Sequence, residues 1–298
     1  MSHSSTELSA SARATGGQTS AAEMAGMRLL VVSDIHANWD ALDAVLQATA
    51  GEYDAILCLG DIVGYGANPV ECSLWARDRC REIIRGNHDV AVVEPERLRD
   101  FNWQARQAVE WTRAQLHPDQ LRWLAELPHG PREIAGMRLA HGSPRDEDEY
   151  VIAIEQAFLC LADLPAQAEP SSAEAGREAS EPAPPPGPVP PVTCIGHTHI
   201  QGGFSLRQNH IAVLRPELPP SPQARMQLQL DPETRYLLNP GSVGQPRDGD
   251  WRAAYLLCAT GGNTVTFGRT EYDLQAAQRK ILSAGLPRHL ADRLAIGK

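Results

Sequence analysis

Met27 to Leu46 reads MRLLVVSDIHANWDALDAVL. Its first part is a near-continuous apolar run that ends in Ser33 and Asp34, the pattern of a strand buried on both faces. Behind Asn38, a residue suited to capping a helix, Leu42, Val45 and Leu46 recur at helical spacing. The stretch is a strand running into a helix, with Asp34 and His36 at the join. Alternate side chains of an extended chain share a face, so both would leave the strand end on one side.

The same grammar continues on the C-terminal side. AILCLGD (Ala55 to Asp61) repeats the strand signal, and NPVECSLWARDRC reads as a helix with Pro69 near its first turn. EIIRGNHD (Glu82 to Asp89) predicts a third strand, which gives a βαβαβ beginning. Between Asn102 and Leu127 the pattern turns helical, with Trp103, Ala108, Trp111 and Leu116 in one helix and PDQLRWLAEL opening a second. REIAGMRLAHG predicts a hairpin turning at Gly136, and YVIAIEQAFLCLAD a mostly buried helix. VTCIGH is again a strand. From Phe204 to Thr270 a series of hairpin-like strands predicts a second sheet, and the C-terminus reads as two short helices split at Gly285 and Pro287, with no chemistry to assign.

Composition bounds the answer. The chain has 298 residues, 42% of them hydrophobic, and a formal net charge of −10. That is enough for a sizeable core, while the negative charge speaks against an extended nucleic-acid surface or an anionic membrane partner. Residues 1–26 are Ser, Ala, Thr and Gly without an apolar stretch, and read as a disordered tail rather than a signal peptide. No apolar run approaches the about 18 residues of a membrane span, so a cytoplasmic protein is expected. Six cysteines without C-x-x-C spacing read as buried free thiols. The stretch LPAQAEPSSAEAGREASEPAPPPGPVPPV holds nine of the 23 prolines and no apolar periodicity, which marks residues 165–191 as a disordered, polyproline-like insertion. Because long loops cost little closure entropy, residues 27–298 are expected to form one domain around it. The insertion can also be pictured docking a protein partner, although a plain loop needs none.

Chemistry-bearing residues fall at the ends of the predicted strands. Asp34 and His36 follow the first, Asp61 the second, and Asn87, His88 and Asp89 the third. His141 follows a later one in LAHGSP, and His197 and His199 follow another in CIGHTHI, again with one parity. Each has an ordinary reading alone: Asp34 and Asp89 as helix caps, Asp61 and Asn87 as turn residues, His141 as a core histidine. Coincidence at five strand ends is the weaker explanation, because open α/β sheets collect ligands where strands end. Carboxylate, amide oxygen and imidazole suit manganese, iron, zinc or cobalt better than calcium, and the lack of nearby cysteine disfavours a structural thiolate site. The set exceeds one ion's needs. Two ions about 3.5–4 Å apart, sharing a carboxylate and holding a hydroxide, would use it for in-line phosphoryl displacement.

The ordered series SDIHAN, LGDIVGYG, RGNHD, AHGSP and IGHTH resembles the calcineurin-like metallophosphoesterase superfamily, small prokaryotic branch, with all five elements of its pattern intact. The resemblance implies an α/β fold, a four-layer αββα sandwich of two mixed sheets flanked by helices. It implies two divalent ions among manganese, iron, zinc, cobalt and nickel, with manganese favoured. Asp34, His36, Asp61 and His199 would bind the first and Asp61, Asn87, His141 and His197 the second, so that Asp61 bridges. His88 would lie over the leaving-group oxygen as a catalytic residue, with Asp89 orienting its ring.

The implied reaction is hydrolysis of a small phosphoester, with phosphodiesters favoured because many small relatives attack them. Dinucleoside polyphosphates and phosphoproteins or other monoesters are the enzymatic alternatives. Phosphoprotein hydrolysis is weakened because only Arg85 and Arg145 lie near motifs to grip a phosphate dianion. A non-catalytic scaffold is the alternative of another class, and the complete motif set argues against it. Arg145 beside DEDE reads as a surface ion pair, GYGANP as a tight turn or a close backbone approach, and Phe101, Trp103 and Trp111 as packing residues.

Overall fold

A computed structural model describes residues 26–134, 136–162, 191–260 and 263–298. The tail expected at 1–26 (apart from Gly26) and the insertion expected at 165–191 (apart from Pro191) lie outside the described residues. The opening strand is β1 (Arg28–Val32), parallel to β2 (Ala55–Cys58), which is parallel to β3 (Glu82–Ile83). Helices α1 (Trp39–Ala48) and α2 (Pro69–Arg79) make the two crossovers. Asn38 caps the first, accepting a hydrogen bond from the Ala41 N–H at 3.2 Å.

The third strand is shorter than its sequence suggests. It stops at Ile83, and Asn87, His88 and Asp89 form the first turn of helix α3 (Asn87–Val93). After α4 (Trp103–Gln115) and α5 (Pro118–Ala125) comes the expected hairpin, β4 (Arg132–Ile134) and β5 (Met137–Leu139), turning at Gly136 with φ of 76°. Helix α6 (Ile154–Ala162) follows, then β6 (Val192–Cys194), β7 (Gly202–Arg207), β8 (His210–Leu214), β9 (Gln223–Gln229), β10 (Arg235–Asn239), β11 (Ala253–Ala259) and β12 (Thr264–Thr270). Helices α7 (Leu274–Ser283) and α8 (Arg288–Asp292) end the chain as expected.

The strands form two mixed six-stranded sheets, in orders β3-β2-β1-β11-β12-β9 and β4-β5-β6-β10-β7-β8. The later strands therefore do not make a sheet of their own. They complete both, because β11 pairs antiparallel with β1 while β10 pairs parallel with β6.

Alternation within the apolar runs builds the layers. Leu29, Val31 and Leu57 point from the first sheet into the core between sheets, where they meet Leu139, Cys194, Tyr236 and Leu238 of the second. Leu30, Val32, Ile56 and Cys58 point the other way, against the helices. On the outer face of the second sheet, Leu237 packs with Ala157, Cys160 and Leu161 of α6. The result is a four-layer α/β sandwich, and the two-sided burial explains why β1 reads as a continuous apolar run.

Two packing expectations need correction. Helix α6 is not mostly buried: Phe158 is 36% and Leu159 47% exposed, since the helix covers the sheet on one side only. Trp103 is 63% exposed at the start of α4, so it is no core residue, whereas Trp111 packs against the core. All six cysteines are free and five are buried. Among the described residues, no helix is long and apolar enough to cross a membrane.

Candidate functional site

Strands β1, β2, β5 and β6 end at one place, and the turn after β3 joins them. The loops there continue strand-like pairing: the Asp34 N–H donates to Gly60 O at 3.0 Å, the His36 N–H to Asp61 O at 2.9 Å and the Gly196 N–H to His141 O at 2.8 Å. The two sheets are tied by Asp34, whose carboxylate accepts from the His197 N–H at 3.2 Å. Asp34, His36, Asp61, His141, His197 and His199 are all buried, and Asn87 is half-buried beside them.

Their ligand-type atoms converge in two groups. Asp34, His36, Asp61 and His199 offer atoms all within 4.8 Å of one another, and so do Asp61, His141 and His197, with Asp61 common to both. Asn87 Oδ1 joins the second at 3.2 Å from His141 Nε2. Backbone carbonyls fix how the imidazoles present themselves. Nδ1 of His36 lies 3.2 Å from Val63 O, that of His141 2.7 Å from Leu59 O, and that of His199 2.6 Å from Gln245 O. An imidazole that donates from Nδ1 turns a bare Nε2 lone pair inward. His197 is reversed, with Nε2 at 3.2 Å from Asp148 O, which leaves Nδ1 for the cluster.

The consequence is a cluster in which acceptor atoms crowd together, with two backbone N–H groups, those of His88 and His197, reaching its carboxylates. Nε2 atoms of His36 and His199 approach to 3.1 Å, with Asp61 Oδ2 at 3.5 Å from the first and Asp34 Oδ1 at 3.3 Å from the second. Burial favours neutral groups. Burial works to raise Asp34 and Asp61, but His199 beside the one and His141 beside the other outweigh it and hold both carboxyls below their usual range. Burial pushes His36 and His199 down and His197 down to about 3. For His141 burial is outweighed by the charge of Asp61 at 3.5 Å, which pushes the ring up to about 10. Two carboxylates and mostly neutral imidazoles are a donor set ready for cations, and one imidazole proton balances part of the charge without them.

Backbone conformation marks the same residues. Asp34, His36, Asp61, His197 and His199 all have left-handed φ, between 48° and 64°. For residues other than glycine each such angle costs about 1–3 kcal/mol, comparable to what burying one Leu or Val side chain contributes. The dense cores on both sides of the sheets hold it in place. Glycine is required where the backbone passes the cluster: a Cβ on Gly86 would overlap Asp61 Oδ1, and one on Gly64 would sit 2.5 Å from His88 Nδ1.

Around this cluster a second layer fixes the loops. Ser242 Oγ donates to Asp34 O at 2.7 Å and accepts from the Gln245 N–H at 2.7 Å, and Gln245 O in turn meets His199. The Asn239 amide donates to Gly196 O at 2.8 Å and to Thr198 Oγ1 at 3.0 Å. Asp89 belongs here rather than at the His88 ring. Its carboxylate accepts from the N–H groups of Ile62 at 3.0 Å, Val63 at 3.3 Å and Gly86 at 3.1 Å, while His88 Nδ1 is buried without a partner. Burial, with Asp61 nearby, pushes Asp89 up to about 7. It is a positioning residue that clamps the two loops carrying Asp61 and Asn87.

His88 itself faces outward from the cluster. Its N–H donates to Asp61 Oδ1 at 2.8 Å, and its ring lies 4.4 Å from Tyr65, 4.8 Å from His36 and 4.9 Å from Phe101. Burial lowers it to about 4. His88, Asn87 and His197 form one wall of a cavity of about 350 Å3, also lined by Tyr65, Phe101 and Tyr150. Phe101, read from sequence as a packing residue, packs against the helix-side core and also lines the cavity.

Arginines sit differently from the sequence expectation. Arg85 pairs with Glu147 at 3.4 Å and Arg145 with Glu149 at 2.9 Å. The cationic side chain near the cluster is Arg247, 5.9 Å over the Tyr65 ring, with its own N–H donating to His199 O at 3.2 Å. Its Nε is buried without a partner, and its charge lowers His88 and His199 after burial and the nearer groups. Tyr65, Tyr150 and Arg247 carried no sequence signal beyond lying near motifs, because it is chain folding that brings them together.

Comparisons with known proteins agree with this geometry. Residues 27–201, more than half the chain, match the family model for calcineurin-like phosphoesterases. An uncharacterized protein of Methanocaldococcus jannaschii is 32% identical over 285 residues, spanning 91% of this chain and 98% of that protein. The crystal structure of a metallophosphoesterase from Sphaerobacter thermophilus aligns with a TM-score of 0.71 at 35% identity, covering 91% of this chain and 99% of that one. A hypothetical protein from Pyrococcus horikoshii shares the fold, with a TM-score of 0.65 at 16% identity over 91% and 98% of the two chains. The family and the Asp/His cluster together point to divalent metal ions. The chain belongs to the calcineurin-like phosphoesterase family, and with it to the phosphoric ester hydrolases.

Proposed function

We propose that this protein is a dinuclear phosphoesterase that hydrolyses phosphodiesters. The observation that carries the proposal is the convergence of buried ligand-type atoms in two groups that share Asp61. Two Nε2 atoms at 3.1 Å, each with its Nδ1 committed to a carbonyl, repel one another unless a cation lies between or beside them. Asp34, His36, Asp61 and His199 would hold one ion and Asp61, Asn87, His141 and His197 the other; mixed oxygen and nitrogen donors suit manganese, iron, zinc or cobalt, and the family resemblance favours manganese. Divalent ions there supply positive charge to the phosphate and acidify a water as the nucleophile.

The remaining work falls to side chains. Leu59, Val63, Gln245 and Asp148 carbonyls hold each imidazole in one tautomer, so the ligand atoms need no reorganisation. Asp89 fixes the loops of Asp61 and Asn87. His88, on the cavity wall and kept neutral by burial, donates a hydrogen bond to the leaving oxygen as its ester bond breaks, and that oxygen takes its proton from water. Arg247 adds positive potential for an approaching anion.

Hydrolysis of bis-p-nitrophenyl phosphate tests the proposal, with metal-stripped protein reconstituted in manganese, zinc or buffer alone. Turnover that requires metal and falls by about 100-fold or more in His88→Ala is expected. Absence of turnover in folded, metal-loaded protein overturns the diesterase reading.

A further inference from the structure

The cavity beside His88 has walls that hydrolysis itself does not use. We propose that it binds the alcohol-side group of the substrate as a flat, uncharged, nitrogen-containing ring of the nucleobase type, so that the favoured esters are those of nucleosides. This rests on the phosphoesterase reading above.

Four features lead there. Its position is fixed by Asn87, His88 and His197, which belong to both cluster and cavity, so a group in the cavity is joined to a phosphate at the cluster. Its volume of about 350 Å3 lies at the lower end of small-molecule sites, about 300–1,000 Å3, which admits a ring and sugar. Beside Val90 and Ala105 its lining carries three aromatic rings: Phe101 lies 4.9 Å from the His88 ring, Tyr65 4.4 Å from it, and Tyr150 3.9 Å from the His197 ring. Such faces stack on planar rings and offer little extra to aliphatic groups.

The fourth feature is the polar lip. Arg97 donates to Glu147 at 3.2 Å and lies 3.5 Å from Asp148, so its charge is spent within the wall. Asp100 lines the same cavity and, among the described residues, its carboxylate has no partner. Arg85 and Arg97 balance Glu147 and Asp148, so the lip keeps Asp100 as its one carboxylate without a partner among the described residues, and that charge disfavours a second anion beside it on the bound group. That carboxylate also accepts hydrogen bonds, as the exocyclic amines of nucleobases require.

Two measurements separate the cavity from the chemistry. Adenosine is titrated calorimetrically into the folded protein, and kcat/KM is compared for a dinucleoside monophosphate and for glycerophosphoglycerol, a diester of equal charge with alkyl alcohols on both sides. Adenosine binding, and a preference of about tenfold or more for the dinucleotide, are expected. Tyr150→Ala, at a residue 44% exposed, should weaken adenosine binding about tenfold and reduce dinucleotide turnover more than glycerol-ester turnover. Phe101→Leu, which keeps bulk and removes the ring, should act in the same direction. Metal-dependent turnover of both diesters with no adenosine binding and no preference overturns the cavity proposal and leaves the phosphoesterase standing. Adenosine binding without turnover of any ester supports the cavity and overturns the phosphoesterase reading. Neither binding nor turnover overturns both.

Discussion

The acceptor cluster and the cavity next to it share Asn87, His88 and His197 but are held in opposite ways. In the cluster every ligand-type imidazole is buried and aimed by a backbone carbonyl, and His36, His197 and His199 also have left-handed φ. In the cavity the remaining walls combine buried Tyr65, Val90 and Ala105 with more exposed Phe101, Glu147 and Tyr150, some of them joined by ion pairs near the surface. Backbone-anchored geometry tolerates little change, because every donor is positioned by atoms that substitution cannot remove. Side-chain walls can be replaced singly. On the proposed reading, the chemistry is built on the rigid part and the choice of substrate on the adjustable part.

Gly86→Ala should break that contrast most severely from the cluster side. Its Cβ would overlap Asp61, so the shared carboxylate must move, with loss of activity on the order of 100-fold and a cost of about 1–3 kcal/mol in stability. Activity and thermal melts on one preparation check both figures, and a silent substitution would show the cluster to be less rigid than described. Ser242→Ala is a milder intrusion, two bonds away from His199. It removes a donor to Asp34 O and an acceptor for Gln245, and should weaken metal retention about 10–100-fold in chelator competition.

The smallest effect belongs to the cavity wall. Burial would raise Glu147, but Arg85 and then His129 outweigh it and hold the carboxyl below its ordinary value. A depressed folded-state value means stability that is present above the unfolded pKa, about 4.3, and lost as pH falls through the folded one. Glu147→Gln should therefore melt slightly lower than the parent at pH 6, and the difference should shrink towards zero below about pH 4. A difference that grows in acid would reverse the sign and remove Arg85 as the cause.

How much of this was legible depends on where the signal lies. Asp34, His36, His197 and His199 announce themselves as polar pairs that close apolar runs, and Asp61 as a lone carboxylate that closes another. The strand alternation expected to aim each pair at one side does not extend to them, because all of them lie past the strand ends with left-handed φ. The third strand was overextended because GNHD follows an apolar pair, and only the structure shows the chain turning at Gly86 into α3. The helix-cap reading of Asp89 is met by its bond from the Gly86 N–H, whereas its reach to the N–H groups of Ile62 and Val63, 27 and 26 residues away, is encoded in no side-chain pattern. Sheet membership of β9 to β12 was hidden too, since periodicity reports a strand but not its neighbour. Phe101, Tyr150 and Arg247 meet His88, His197 and Tyr65 only through tertiary folding.

One feature of the fold reaches beyond catalysis. Asp34, His36 and Asp61 hang from one sheet and His141, His197 and His199 from the other, and the two sheets share no strand. An ion held among them would add a clasp between halves that already meet through an apolar core and the bond from the His197 N–H to Asp34, and it would close chain loops of more than 100 residues, as His36 and His199 lie 163 apart. Loading the centre and fastening the sandwich are then one event, and a chelator should loosen the seam between the sheets before it loosens either sheet.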